Sequence, residues 1–284
     1  MERYIDLHTH SCKSDGSMEP SQVVREAKKA GLAAIALSDH DTVDGVSEAM
    51  EEGKKIGVEV VPAVEFSVES KTQNHIIALY PDIQNEEFLS FLEDLKKARA
   101  SRNEETIRLF EKLGIHITLD EVKEIAGGKV IGRAHFGKLL VNKGITKSVK
   151  ESFEKYLGTG GPAYTGSGHP SAEKTIEKIK KADGLSFMAH LNQTRLDDEE
   201  LKALLKHLKE CGLDGVEGYY TEYTPEMEEK YRAMAKEINL MLSGGSDFHG
   251  TMKPHINIGV GTGNLRIPYS VLEKIKEAKE NILL

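Results

Sequence analysis

The sequence contains no tryptophan and only two cysteines, Cys12 and Cys211. Two isolated cysteines cannot form a disulfide framework or a thiolate zinc site, so we expect a protein of the reducing cytoplasm. No apolar run approaches the roughly 20 residues that a membrane helix requires, and no basic start precedes an apolar signal segment. These absences indicate a protein without membrane spans and without disulfide staples.

A surplus of positive charge is also missing. The chain has 38 Lys and Arg against 46 Asp and Glu, which gives a formal net charge of −8. Long duplex nucleic acid is disfavoured as a partner, because such binding depends on basic side chains that displace condensed counterions. Small phosphorylated molecules remain compatible, since bound divalent cations would form a strong local positive centre. Nothing in the sequence predicts an oligomeric state.

Histidines and carboxylates are present in short, recurrent patterns. His8 and His10 stand two residues apart in a strand-like segment, and a strand places such residues on one face. An Asp-x-His pattern returns at Asp247 and His249, again after an apolar run. Alternate imidazoles and carboxylates at strand ends predict a metal site.

Seven short apolar runs alternate with helical patterns, which indicates β/α units around a parallel sheet. The predicted strands lie near residues 4–7, 33–37, 59–64, 75–79, 185–189, 215–216 and 240–243. Because most of these runs carry a candidate ligand at or next to one end, we expect a barrel with its chemistry at the carboxyl ends of the strands.

One stretch has no strand pattern. A long charged helix is predicted over residues 86–113, and three shorter helices follow before the glycine-rich segment 158–161. We therefore predict a helical insertion over residues 97–165 that covers the mouth of a barrel formed by residues 1–96 and 166–284.

Several motifs together resemble the PHP (polymerase and histidinol phosphatase) family of metal-dependent phosphoesterases. They are His-x-His at 8–10, Ser-Asp-Gly at 14–16, Asp-His-Asp-Thr-Val-Asp-Gly at 39–45, Glu65, His75, His135 and Ser-Asp-Phe-His at 246–249. Segments 131–136 and 188–190 resemble the bacterial branch of nucleoside 3′,5′-bisphosphate phosphatases and 5′-to-3′ exoribonucleases. The resemblance implies a distorted (β/α)7 barrel, an α/β fold, with two or three divalent cations.

The resemblance also implies which residues bind the cations. A first cation would take His8, His10, Glu65 and Asp247, a second Asp15, His40 and His249, and a third His75 and His135 with Glu65 bridging. Asp39, Asp41 and Asp44 are left outside this ligand set. Imidazoles and carboxylates without thiolates suit Mn²⁺, Fe²⁺ or Zn²⁺.

Two further residues are candidates for substrate contact. Arg133 could bind phosphate through its guanidinium fork, although it could also pair with a nearby carboxylate. His190 follows an apolar run and could touch phosphate or protonate the leaving oxygen. We count His190 and Asp247 as the catalytic residues. Glu217, Arg195 and Lys71 are left open.

The resemblance implies hydrolysis of the 3′-phosphate of nucleoside 3′,5′-bisphosphates, such as adenosine 3′,5′-bisphosphate, with trimming of short oligoribonucleotides from the 5′ end as a further reaction. A histidinol-phosphate phosphatase is the first alternative, and the insertion after His75 disfavours it. The second is a catalytically silent PHP module that binds phosphate or supports an assembly.

Overall fold

The computed structural model describes residues 2–70, 74–126, 130–166 and 168–282. Eight strands form one sheet. They are β1 (Tyr4–Thr9), β2 (Ala34–Leu37), β3 (Glu59–Val68), β4 (Asn74–Leu79), β5 (Leu185–Met188), β6 (Gly215–Tyr220), β7 (Met241–Gly245) and β8 (Ile267–Pro268). Each of the seven predicted strands is confirmed, and β8 is a two-residue addition that pairs antiparallel with β1.

Helices follow most of the strands. They are α1 (Pro20–Lys29), α2 (Val46–Ile56), α3 (Glu86–Lys112), α4 (Leu119–Ala126), α5 (Arg133–Asn142), α6 (Val149–Ser152), α7 (Ala172–Lys181), α8 (Asp198–Glu210), α9 (Pro225–Glu237) and α10 (Ser270–Ile282). A π-helical turn spans Phe153–Leu157, and 3₁₀ turns span Leu191–Thr194 and Gly250–Met252. No helix within the described ranges has both the length and the apolar character that crossing a membrane requires.

The sheet closes into a barrel. Its strand order is β7-β6-β5-β4-β3-β2-β1-β8. The segment after β7 then returns to β1, where the Asp247 amide donates to the His8 carbonyl at 2.9 Å and the His10 amide donates to the Phe248 carbonyl at 2.9 Å. The predicted barrel is therefore confirmed, and its seam brings the two histidine-carboxylate segments together.

The prediction of a parallel sheet is wrong for β4. This strand pairs antiparallel with both β3 and β5. Only residues 69–73 join β3 to β4, whereas a parallel crossover needs a dozen or more residues. His75 consequently lies at the beginning of its strand, at the same end of the barrel as the end of β3.

Both faces of the sheet are buried. Neighbouring residues of β4 pack into different clusters: Ile77 with other strands and with Ile275 of α10, and Ile76 with Phe88 of α3 and Ile176 of α7. Burial on both faces accounts for the continuous apolar runs in the sequence.

The predicted insertion has its own apolar cluster. Phe110, at the end of α3, packs with Val122 of α4, Phe136 and Leu140 of α5, and Leu157. The same long helix contributes residues near its beginning to the barrel core. The boundary at residue 97 thus falls inside a continuous helix, and the division into two domains stays a proposal.

Candidate metal centre

Eight of the nine predicted ligands meet at one end of the barrel, where β1, β2 and β7 end. Three overlapping groups have ligand atoms within 4.8 Å of one another: first His8, His10 and Glu65; second His10, Asp15, His40 and His249; and third His40, Glu65 and His75. Asp247 adjoins the first two groups through the seam between β7 and β1.

The first group is buried at the centre. Nε2 of His8 lies 3.1 Å from Nε2 of His10, and these two atoms lie 3.3 and 3.2 Å from Oε2 of Glu65. Oδ1 of Asp247 is 3.4 Å from Nε2 of His10. The register of β1 against β2 shifts between Asp6 and Thr9, yet the two histidines still point at the same carboxylate.

The second group lies beside it. Asp15 approaches His249 at 3.2 Å and His40 at 3.8 Å, and it also lies 3.7 Å from Nδ1 of His10. Asp15 follows β1, His40 follows β2 and His249 follows β7. Three chain-distant segments therefore converge on one position.

The third group differs from the sequence-based prediction. His75 Nδ1 lies 2.8 Å from Oε1 of Glu65, and His190 Nε2 lies 3.1 Å from each of these atoms. His135 lies outside all three groups, and its Nδ1 accepts a hydrogen bond from the Gly132 amide at the first turn of α5. The structure thus places His190, and not His135, beside Glu65 and His75, and the ligand set of the third cation stays a prediction.

His190 is held in a strained conformation. Its φ of 29° lies in a region that residues other than glycine rarely adopt. The Glu217 Oε2 atom accepts its amide hydrogen at 2.7 Å. Strain of this kind costs free energy and recurs at functional sites, where the surroundings enforce it.

Glu217, which sequence reasoning left open, also orients His8. Its Oε1 accepts from Nδ1 of His8 at 2.8 Å. The carboxylate can only accept, so His8 carries its proton on Nδ1 and turns Nε2 towards the cluster. The sequence signal was a single glutamate on a short strand, which does not distinguish such a role.

Two residues that sequence reasoning missed fix Asp247. Its Oδ2 accepts from the Tyr220 hydroxyl at 2.9 Å and from Nζ of Lys253 at 2.6 Å. The other oxygen, Oδ1, faces His10 and His249. One oxygen is thereby held by the protein while the other points into the cluster.

Buried carboxylates also shape the backbone behind the ligands. Asp6 accepts from the Ser246 amide at 2.8 Å and the Gly259 amide at 2.7 Å. Asp39 accepts from the Ser11 amide at 2.8 Å and the Ser14 hydroxyl at 2.5 Å. These bonds brace the loops on either side of the seam.

The electrostatics favour cation binding. Burial raises the pKa of Glu65, but the neighbouring histidines, His8 first, hold it well below its ordinary value. Burial raises the pKa of Asp15 as well, and His249 and His40 bring it well below the ordinary value. Burial lowers the pKa of His40 to about 3. Ionised carboxylates and the neutral imidazole of His40 are protonation states that metal ligands require. Burial lowers the pKa of His10, but Asp247 and Glu65 raise it to about 9, so His10 loses a proton when a cation binds.

Among the described residues, two histidine nitrogen atoms in the cluster are buried without a hydrogen-bond partner. They are Nδ1 of His40 and Nδ1 of His190. An unpaired buried polar atom is costly. A cation beside His40 would remove part of that cost, so the donor set fits divalent metal.

A group of arginines adjoins the cluster on the side of α3. Burial, Arg99 and Arg133 together lower the pKa of Arg102 to about 10. Burial and then Arg102 and Arg99 lower the pKa of His169 to about 2. The Arg133 guanidinium lies 5.5 Å from the centre of the Tyr164 ring. Such mutual repulsion is relieved when an anion binds between the cations.

The remaining open residues are less informative. Arg195 has a φ of 54° and follows the 3₁₀ turn after His190, outside the three ligand groups. Lys71 lies outside the described residues. Arg133 has no carboxylate at ion-pair distance among the residues that the structure describes, and its phosphate-binding role stays a prediction.

Comparison with known proteins agrees with this geometry. The profile of the PHP domain matches residues 6–245. A 5′-3′ exoribonuclease of Haemophilus influenzae is 33% identical over 250 residues, covering 88% of this chain and 91% of the relative. A 3′,5′-nucleoside bisphosphate phosphatase of Chromobacterium violaceum is 29% identical over 247 residues, covering 86% of this chain and 87% of the relative.

A solved structure agrees with these sequence relatives. The structure of a protein assigned as a metal-dependent phosphoesterase of Bifidobacterium adolescentis superimposes with a TM-score of 0.76 at 31% identity, covering 96% of this chain and 95% of the other.

Proposed function

This chain belongs to the PHP domain family, and from that premise we propose that it removes the 3′-phosphate of nucleoside 3′,5′-bisphosphates such as adenosine 3′,5′-bisphosphate. Its family and its relatives indicate that it is a metal-dependent phosphoesterase. The observation that carries the narrower proposal is that a group of arginines lies near the buried ligand cluster, since His169 interacts with Arg102, with Arg99 and with His75. A bisphosphate needs one site for each phosphate.

We assign the ligands to three cations. The first takes His8, His10, Glu65 and Asp247, the second Asp15, His40 and His249, and the third Glu65, His75 and His190. Mn²⁺, Fe²⁺ and Zn²⁺ suit this donor set. When bound, divalent cations supply an activated water and Lewis-acid stabilisation of the phosphoryl oxygens.

The chain's own residues position the reactants. Asp247 is fixed by Tyr220 and Lys253, so its free oxygen meets the cluster without reorganisation. Arg133 and Arg102 would hold the phosphate that is not cleaved, since a guanidinium fork matches phosphate oxygens. His190 is assigned to the third cation, and this replaces its sequence-based role as proton donor to the leaving oxygen.

A product assay tests the proposal. Metal-loaded protein is given adenosine 3′,5′-bisphosphate, histidinol phosphate and simple monophosphates, and the released nucleotide is identified. We expect adenosine 5′-monophosphate as the main product. Preferential turnover of histidinol phosphate would favour the first alternative, and Asp247→Asn should abolish turnover of any substrate.

Short RNA is a second candidate substrate. The H. influenzae relative, which matches most of this chain, is a 5′-3′ exoribonuclease. We expect release of mononucleotides from 5′-phosphorylated oligoribonucleotides and none from long duplex. A silent binding module would instead carry no stoichiometric metal, which elemental analysis measures.

A cytoplasmic location belongs to the same proposal. Cys12 and Cys211 are both unpaired, and free thiols are typical of reducing compartments.

A further inference from the structure

A cavity of about 320 Å³ lies beside the ligand cluster, and Arg102 does not line it. Its walls come from the segment after β2, from α3 and from α4. His40 belongs both to this wall and to the second ligand group, so the cavity adjoins the cluster. No step of the proposed hydrolysis uses this space.

Most of the wall surface of the cavity is apolar, and charged side chains also line it. Ala100, Leu119, Val130 and Ile131 line it. Its volume is at the lower end of the range of about 300 to 1,000 Å³ in which small-molecule sites fall. Walls of this kind favour a flat, uncharged group over a hydrated anion.

The charges around the cavity are balanced. Arg99 forms an ion pair with Asp41, and Nζ of Lys96 lies 3.4 Å from Oδ2 of Asp44. Arg102 and Arg133, which do not line the cavity, repel each other instead. The cavity and these two arginines therefore differ in the ligand chemistry that they accept.

We propose that this cavity binds the nucleobase of the substrate nucleotide. The inference rests on the proposed function and extends it, because it identifies where the uncharged part of a nucleoside bisphosphate lies. With one phosphate at the cluster and the other at the arginines, the base is the part that remains. The apolar walls and the neutral ion pairs match a heteroaromatic ring, and the Arg99 guanidinium offers a planar face.

Two alanines on α3 provide a matched test. Ala100 lines the cavity and Ala98 does not, and both are exposed, so a large side chain at either position leaves the core unchanged. Ala100→Trp fills the cavity. We expect it to raise the KM for adenosine 3′,5′-bisphosphate by about tenfold or more, in line with the loss of apolar contacts in a pocket. Ala98→Trp should keep the wild-type KM.

A base-free substrate separates loss of the base contact from general damage. Both variants should hydrolyse 1,2-dideoxyribose 3,5-bisphosphate as the wild type does. Equal KM values for the nucleotide in the two variants, or an equal loss on the base-free substrate in Ala100→Trp, would overturn the inference.

A direct binding measurement distinguishes failure of the nucleobase site from failure of the proposed function. If the wild type turns over no bisphosphate, the proposed function is wrong, whereas titration with adenosine 5′-monophosphate still tests the cavity. We expect binding to the wild type and to Ala98→Trp, and weaker binding to Ala100→Trp. Equal affinity for all three proteins would contradict a base site here.

Discussion

At the scale of single residues, Glu217 is the side chain that joins two candidate ligands from different strands. One carboxylate oxygen accepts from Nδ1 of His8 and the other from the amide of His190. We expect Glu217→Gln to weaken metal binding by roughly 10- to 100-fold. The glutamine amide is uncharged, so it holds the His8 imidazole less firmly than the carboxylate does. Competition with a chelator of known affinity measures this change. Glu222→Gln, an exposed carboxylate five residues later, should bind metal as the wild type does; equal affinities in the two variants would remove Glu217 from the site.

His169 provides a pH test of the arginine group. Its folded pKa of about 2 lies far below the ordinary value near 6.5, because burial and then Arg102 and Arg99 oppose its protonation. Below pH 6.5 the unfolded chain binds a proton that the folded protein excludes, so the free energy of unfolding falls as the pH decreases. We expect His169→Gln to lose less stability than the wild type between pH 7.5 and pH 5.5, as measured by urea unfolding without added metal. His116→Gln, at an exposed position, should follow the wild type.

Residue chemistry was predictable from sequence where a strand set the spacing. His8 in β1 and His10 directly after this strand point to the same side, as their alternation predicts. Asp247 reaches His10 because the apolar run before it forms β7, which ends at the same edge of the barrel. The third group was not predictable in the same way. His135 lies in the helical insertion, where no strand register relates it to Glu65, while His190 reaches Glu65 through the pairing of β4 with β5.

At the scale of elements, the seam between β1 and β7 determines the site. A Cβ atom on Gly245 would collide with the backbone and Cβ of His8 and would lie 2.8 Å from Oδ1 of Asp6. The glycine is therefore needed for close approach of the two strands. We expect Gly245→Ala to destabilise the fold by about 1 to 3 kcal/mol through overpacking and to lower metal affinity, as urea unfolding and metal titration would measure.

Another glycine serves as the control for this substitution. Gly132 has no heavy atom within 4 Å of an added Cβ and a φ of −113°. Gly132→Ala should cost at most about 1 kcal/mol, the usual effect at a helix N-cap. If Gly245→Ala has the same stability and metal affinity as Gly132→Ala, close approach of β7 to β1 at Gly245 is not required for the fold or the site.

The strand directions could not be read from the apolar pattern alone. The run of β4 looks like those of its parallel neighbours, since burial on both faces gives the same composition in either direction. The length of the connection after Val68 held the information, because five residues cannot form a crossover. Loop length is thus the signal that would have corrected the prediction.

At the scale of the whole molecule, the candidate ligands extend from His8 to His249 and connect nearly every strand of the barrel. The insertion has a separate apolar cluster and contributes no residue to the three ligand groups that the described chain contains. Bound cations should therefore stabilise the barrel seam and leave the interior of the insertion nearly unchanged.

Metal loading tests this division of the molecule. Because cations bind the folded site, we expect Mn²⁺ to raise the stability in a concentration-dependent way, by about 2.7 kcal/mol at 100 times the dissociation constant. Hydrogen exchange should slow in residues 6–10 and 241–249 and stay unchanged within α4 and α5. Asp247→Asn should reduce both effects, while Asp120→Asn, an exposed carboxylate of the insertion, should retain them. Equal protection of barrel and insertion would mean that the two parts respond as one unit, and no protection at the seam would contradict the assignment of its residues as ligands.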